Sequence, residues 1–491
     1  MNLESVPPIA AASVPCGVFV DNAWRPAASG KTLEMVEPAT GAPFARIAAG
    51  DARDVDAAVR AARRALEGSW GRLDATERGR LLTRLGALIE NQRDTLAVLE
   101  ARDTGKPLSQ ARTDIDAAAR YFEFYGGAAD KVLGATIPYR PGKLALTERV
   151  PHGVTGHIIP WNYPAQMFGR TLAPALAMGN ACVLKPAEDA CLTVLHLAEL
   201  SREAGFPPGA INVVPGRGEV AGAALSAHSG VDFLSFTGSP EVGTLVQIAA
   251  ARRHAGCTLE LGGKSPQIVF GDADLDAAVP VIIAAIAQNA GQTCSAGSRV
   301  LAEEGIAKDL SARLADAFAA LRAGPPEADL DLGPVINPTQ KRRVERFCGL
   351  ADAAGVPLIA EGRIDPGAVP HGCYVTPRLY GPVPRDHPVA QQEIFGPVLA
   401  LTIFGDEDDA VCLANGTEYG LVAGVWSRDA ARAVRVARRI GAGQVHINGY
   451  AAGGEVELPF GGIRKSGHGR EKGLAALDEF STTLTLVLNH A

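Results

Sequence analysis

The chain has 491 residues, 47% of them apolar and 21% charged, which is the balance of a folded globular protein with room for more than one domain. A formal net charge of -7 without any run of lysine and arginine excludes a surface that tracks a nucleic-acid backbone. The cysteines (16, 182, 191, 257, 294, 348, 373 and 412) stand singly and the histidines form no H-x-x-x-H or H-x-H pattern, so reduced thiols in a cytoplasm and no metal site are expected.

The N-terminus, with Glu4 and early prolines, lacks the basic-then-apolar order of a secretory signal. Residues 18–20 and 44–47 read as short strands, and helical periodicity takes over from 54 to 120. A turn at Pro141-Gly142 joins two strand-like stretches, 135–139 and 144–150, into a hairpin. The C-terminal stretch 481–488 alternates threonine and leucine. A lone hairpin is marginal in water, so these ribbons are expected to pair with each other or with a second subunit.

From 152 to 262 strand and helix alternate. Strands are expected over 154–159, 181–185, 211–214, 231–236 and 257–261, with helices over 166–178, 189–204, 220–227 and 240–253. That alternation predicts a parallel doubly wound sheet with its ligand site beyond the carboxyl ends of the strands. It resumes past Gly263, with strands near 267–270, 299–301, 398–403, 421–426 and 444–448. The longest apolar stretch, 277–287, carries Pro280 and is too short to span a bilayer, so no membrane association is expected.

Chemistry-bearing residues fall at the ends of these elements. Cys294 lies on a glycine-bounded loop between a helix capped by Asp274 and the 299–301 strand. An ordinary thiol is only a few per cent ionised at neutral pH, so reactivity has to come from its surroundings; the alternative is a buried structural cysteine. Asn162, between Pro160-Trp161 and Tyr163-Pro164, is expected to be exposed at the ligand edge as an oxyanion donor, although alone it reads as a turn asparagine. Lys185 and Glu188 follow the second strand, where a carboxylate would accept from ribose hydroxyls and repel a 2′-phosphate, favouring NAD over NADP. Thr237-Gly238-Ser239 precedes a helix with Pro240 at its first position and suits a pyrophosphate, with Glu241 competing. The cluster from Gly216 to Gly222 misses the G-x-G-x-x-G spacing and reads as a turn. Glu260, before Gly262-Gly263, would gain a raised pKa on burial and suit a general base.

The stretches Pro160-Trp161-Asn162, Lys185-Pro186-Ala187-Glu188, Phe236-Thr237-Gly238-Ser239, Glu260-Leu261-Gly262-Gly263-Lys264, Gly291-Gln292-Thr293-Cys294, Glu393-Ile394-Phe395-Gly396-Pro397 and Pro459-Phe460-Gly461-Gly462 stand in the order that resembles NAD(P)-dependent aldehyde dehydrogenases. The resemblance implies two doubly wound α/β domains, one Rossmann-like and dinucleotide-binding (1–130 and 152–262) and one catalytic (263–463). A β-ribbon oligomerisation arm with the C-terminal segment (131–151 and 464–491) would complete a homotetramer or homodimer. It further implies Cys294 as nucleophile, Asn162 with the Cys294 N–H as oxyanion holders, and Glu260 as the base for thioester hydrolysis. Ile159, Trp161, Lys185, Glu188, Gly238, Ser239, Glu393 and Phe395 would hold NAD, or less favourably NADP. Glu471 matches a proton-relay carboxylate of some members.

Tyr163, Arg170, Gln288 and Phe460 are the expected substrate-pocket residues. Betaine-aldehyde members carry tryptophan where this chain has Arg170 and Gln288, and an arginine would repel a quaternary ammonium. Semialdehyde and aromatic-aldehyde members carry arginine at that place. An anionic or aromatic aldehyde is therefore expected, unless Arg170 only makes a helix-surface ion pair. A betaine-aldehyde-type amino-aldehyde dehydrogenase, a coenzyme A-acylating enzyme, which would lack Glu260, and a non-catalytic NAD-binding structural protein are the rival readings.

Overall fold

The computed structural model describes residues 15–451 and 455–490; the N-terminal stretch read above for a signal lies outside them. An eight-stranded sheet runs in the order Ala23–Arg25, Val18–Val20, Ile211–Val213, Ala181–Lys185, Val154–Ile158, Phe233–Thr237, Gly256–Glu260, Gly467–His468. The five strands from Ile211–Val213 to Gly256–Glu260 are mutually parallel, and antiparallel strands close both edges. Val154–Ile158, Ala181–Lys185 and Phe233–Thr237 are buried at every position, because helices cover both faces of a parallel sheet.

From Val154–Ile158 the chain winds outward through Ala181–Lys185 to Ile211–Val213, then returns to place Phe233–Thr237 on the other side of the starting strand. The order therefore reverses between Val154–Ile158 and Phe233–Thr237, and the carboxyl ends there open a crevice. Residues 159–163 and 238–241 occupy it.

A seven-stranded sheet follows, ordered Leu358–Glu361, Arg378–Tyr380, Val398–Phe404, Arg299–Glu303, Pro266–Val269, Val422–Trp426, Gln444–Ile447, parallel except at the first edge. The fold is thus two doubly wound α/β sheets, as expected, and the antiparallel edges are what the sequence reading did not foresee. The third expected element is also present: Ser481–Asn489 pairs with Lys143–Pro151, which pairs with Ala135–Ile137, in an antiparallel three-stranded sheet. Arg149 fastens it, donating from Nε to Ser481 Oγ (3.0 Å) and from Nη1 to Thr483 Oγ1 (2.9 Å).

Two local readings need correction. The segment after Arg217 is not a plain turn: Gly218–Gly222 forms a π-helical turn that runs into the helix Ala223–Ala227. The helix expected from 189 begins only at Leu192, and Asp189, ahead of it, accepts a hydrogen bond from Asn337 Nδ2 (3.1 Å). Among the described residues no helix is long and apolar enough to cross a membrane.

Candidate active site

Cys294 sits at the end of a strained loop. The helix Leu275–Ala287 is capped by Asp274, whose carboxylate accepts from the N–H groups of Asp276 and Ala277. Past its end, Asn289 (φ 50°), Ala290 (φ 54°) and Gly291 (φ 72°) are all left-handed. Ala290 there costs on the order of 1 kcal/mol, so neighbours must hold it. Gln110 Oε1 accepts from the Asn289 N–H (2.8 Å), Gln292 Nε2 donates to the Asn289 carbonyl (3.0 Å), and Gln292 Oε1 accepts from the Ile336 N–H (2.9 Å). At Gly291 a β-carbon would lie 2.3 Å from the Gly396 carbonyl oxygen, so only glycine fits. The half-buried thiol packs beside Leu421, Val422, Phe460 and Tyr450.

Cys294 opens into a cleft of about 270 Å³ whose walls include Trp161, Asn162, Tyr163, Arg170, Gly238, Ser239, Glu260, Glu393 and Phe395. The cleft lies at the reversal of the first sheet, and residues from both sheets meet in it. Asn162 is buried there, not exposed as expected: its amide donates from Nδ2 to the Gln292 carbonyl (2.9 Å), which ties the turn after Val154–Ile158 to the cysteine loop. That bond uses one amide hydrogen and leaves the other for a ligand oxygen. The Tyr163 hydroxyl is 2.6 Å from Thr293 Oγ1, a second tie across the same gap.

The surroundings of Cys294 do not activate it at rest. Burial pushes the thiol up to about 11; Arg170 pulls it back and Glu260 and Glu393 push it up again. Glu260 is fully buried at the end of Gly256–Glu260, and among the described residues neither oxygen has a hydrogen-bond partner. Burial holds it well above the usual carboxylate range, Arg170 opposing and Glu471 adding. A thiol and a carboxyl thus face one cleft, both shifted toward the neutral form by the same cause.

Arg170 is where the sequence reading needs most correction. Every residue of its helix, Pro164–Ala177, is buried, so a helix-surface ion pair is ruled out. Its Nε lies 2.5 Å from Glu471 Oε2, its Nη2 lies 3.4 Å from Glu260 Oε2, and the guanidinium stands 4.5 Å from the centre of the Phe460 ring. Glu471 also accepts from Ser235 Oγ (3.3 Å) and is joined through its backbone to Phe460. Removing one member of such a buried cluster typically costs about 3–5 kcal/mol, because it strands the other charges.

Phe460 and Glu471 therefore form a layer behind the cleft wall. Gln288 does not share the cleft: it lines a separate surface groove with Gln110, Asp114, Val279, Ile283 and Leu321, which corrects its expected place in the pocket. Ile159 is buried and donates its N–H to the Lys185 carbonyl (3.2 Å). Lys185 Nζ donates to Glu188 Oε2 (2.8 Å), and Glu188 Oε1 accepts from the Gly218 N–H (3.1 Å). Burial pushes Glu188 up, but Lys185 outweighs it and holds the carboxyl below its ordinary value.

At the other side of the crevice, Ser239 caps Pro240–Ala251, its Oγ accepting from the Val242 N–H (3.4 Å). Thr237 Oγ1 is buried there without a hydrogen-bond partner among the described residues, and a β-carbon on Gly238 would lie 2.6 Å from the Phe236 ring. Glu393 accepts from the Gly263 N–H (3.0 Å), and burial raises it to about 7. Phe395 is left-handed (φ 61°), a strained state for a large side chain, and meets Trp161 edge-on at 5.4 Å. Gln340 and Arg343, absent from the sequence reading, brace this segment by donating to the Phe395 (2.6 Å) and Ile394 (3.1 Å) carbonyls. No local pattern marks them, since their role depends on a loop about fifty residues away. No group of three metal-ligating side chains occurs among the described residues.

The aldehyde dehydrogenase family model matches residues 24–486. The chain belongs to the aldehyde dehydrogenase family. Its activity is oxidation of an aldehyde. Horse mitochondrial aldehyde dehydrogenase is 42% identical over 96% of this chain and 94% of its own. An aldehyde dehydrogenase candidate from Burkholderia cenocepacia has a crystal structure with TM-score 0.96 and 58% identity, covering 97% of this chain and 100% of the other. The NAD⁺ complex of a Bacillus cereus aldehyde dehydrogenase matches with TM-score 0.96 and 37% identity over 99% of both chains.

Proposed function

We propose that the enzyme oxidises an aromatic aldehyde to its carboxylic acid with NAD⁺, irreversibly, through a covalent adduct on Cys294. The observation that carries this is one cleft lined by a thiol, an amide donor, a buried carboxyl and the capped helix start at Ser239. The Cys294 sulfur would lose its proton and add to the carbonyl carbon, while Asn162 Nδ2 and the Cys294 N–H hold the oxyanion. The bound dinucleotide would supply the hydride acceptor, and oxidation would leave a thioester on Cys294. Glu260 would then take a proton from the water that hydrolyses the thioester, and Glu471, paired with the permanently protonated Arg170, would set the charge behind it.

The residues present fit NAD. Thr237 Oγ1 lacks a hydrogen-bond partner among the described residues and stands beside the start of the Ser239-capped helix, where Gly238 and Ser239 would hold the diphosphate. Lys185 and Glu188 would hold the adenosine ribose, with Ile159 and Trp161 beside it, and Glu393 and Phe395 the nicotinamide ribose. The charge retained on Glu188 would repel a 2′-phosphate and favours NAD over NADP.

The surroundings of Arg170 favour an aromatic over an anionic substrate. Its guanidinium already pairs with Glu471 and faces the Glu260 carboxyl, so a substrate carboxylate would have to share one arginine with two buried carboxyl groups. An aromatic ring needs only the apolar walls of Tyr163, Met167 and Trp161. NADH formation should show kcat/KM for benzaldehyde at least roughly tenfold above succinic semialdehyde and betaine aldehyde, with no dependence on coenzyme A. A preference for succinic semialdehyde would restore Arg170 as an anion site, and a preference for betaine aldehyde would overturn both readings. A protein that binds NAD⁺ but oxidises no aldehyde would revive the structural alternative.

A cytoplasmic homodimer or homotetramer completes the proposal. Leu484, Val487 and Leu488 on the C-terminal strand are 42%, 53% and 59% exposed, and Leu245 on the Ser239-capped helix is 66% exposed. Light scattering should give a mass of twice or four times 51.0 kDa, and a monomer at micromolar concentration would refute it.

A further inference from the structure

Lys106 is a buried cation that the mechanism above does not use. It follows Gly105, whose left-handed conformation (φ 84°) ends the helix Arg93–Thr104, and it precedes Pro107. A β-carbon on Gly105 would lie 2.7 Å from Pro334, so the corner is packed as well as turned. The lysine backbone is therefore held between a residue that must be glycine and one whose φ is fixed.

The side chain runs inward and is 1% exposed. Its Nζ pairs with Glu100 at 3.4 Å and with Asp114, donates to the backbone carbonyl of Asn162 at 2.9 Å, and stands 4.5 Å from the centre of the Tyr163 ring. Asp114 in turn accepts from Gln166 Nε2 (2.6 Å), two residues into the helix that follows Tyr163. The Asn162 carbonyl has a second donor, Asn289 Nδ2, also at 2.9 Å. One carbonyl thus gathers a lysine from the helical layer, an asparagine from the cysteine loop, and the residue whose own amide faces the cleft.

Apolar packing alone could fill this position without the desolvation cost of an ammonium. What the ammonium adds is direction: it fixes the Asn162 peptide plane from one side while Asn289 fixes it from the other. The Asn162 side chain projects from that plane, and its second amide hydrogen must meet the substrate oxygen within a few tenths of an ångström.

We infer that Lys106, with Asn289, is a positioning residue that orients the Asn162 amide toward the carbonyl oxygen of the substrate. The inference rests on the reading of Asn162 as oxyanion donor. Lys106→Met and Asn289→Ala are each expected to lower kcat/KM by roughly 10- to 100-fold, mainly in kcat, with NAD⁺ affinity unchanged.

A double-mutant cycle with Asn162→Ala separates positioning from general loosening. Once the amide is gone its orientation no longer matters, so either substitution should cost less than about twofold on the Asn162→Ala background. Alkylation of Cys294 by iodoacetamide, which forms no oxyanion, should keep its wild-type rate in both single variants. If Lys106→Met is insoluble, Lys106→Met/Glu100→Gln/Asp114→Asn removes both carboxyls it would strand, and Asn289→Ala carries the cycle with no charge change. Full additivity in the cycle, or alkylation slowed as much as turnover, would overturn the inference. Wild-type turnover in Asn162→Ala would instead overturn the oxyanion reading beneath it.

Discussion

Cys294→Ala will lower kcat by on the order of 10⁵- to 10⁶-fold, the scale on which a covalent nucleophile is lost, and will leave NAD⁺ binding intact. Binding should survive because the residues proposed to hold the dinucleotide stand on the first sheet and on the 393–395 segment. They do not depend on the sulfur for their position. Stopped-flow NADH absorbance and calorimetric NAD⁺ titration check the two halves. Aldehyde oxidation persisting in Cys294→Ala would remove the sulfur from the mechanism.

The same thiol carries a pH signature. Burial raises it to about 11, so at neutral pH only about one molecule in 10⁴ holds a thiolate in the resting protein. In the free enzyme, alkylation of Cys294 should therefore speed up about tenfold per pH unit between pH 7 and 10, since each unit multiplies the thiolate fraction by ten until the raised pKa is reached. A rate that is flat across that window would mean that the thiolate is already formed, against the burial seen here.

Glu260→Gln is the second large effect. It should form NADH in a burst of one equivalent per active site and then turn over about 10²- to 10⁴-fold more slowly, with acyl-enzyme recoverable on Cys294 by mass spectrometry. Sign and pH window follow from burial: the neutral carboxyl is favoured, so the base form grows as pH rises through a pKa well above the usual carboxylate range. Hydrolysis in the wild type should climb across that range, and the climb should vanish in Glu260→Gln. Arg170 limits the shift, because its guanidinium favours the charged form. Full steady-state activity without a burst would transfer the base to another group. Glu471 is one candidate, and the Glu260→Gln/Glu471→Gln pair would then expose it.

The sequence by itself determined what short-range patterns encode. The period of apolar residues placed the parallel strands 154–158, 181–185 and 233–237 to within a few residues. Asp274 and the Ser239-Pro240 pair marked the starts of their helices, because caps act on backbone groups two or three residues away. The ordered motifs put Cys294, Asn162, Glu260 and the Lys185–Glu188 pair at strand and loop ends. Only the tertiary structure decided what each side chain meets there. Arg170 looked equally like a surface residue and a substrate anchor until Glu471, about three hundred residues on, was seen beside it. Gln288 belonged to the cysteine loop in sequence yet faces another groove, since the left-handed Asn289 and Ala290 turn the chain between them. Lys106 carries no local mark at all: its meaning lies in the Asn162 carbonyl, and hydrogen bonds across such separations follow from how the layers pack. Periodicity is a property of the chain. The partners of a buried charge are a property of the fold.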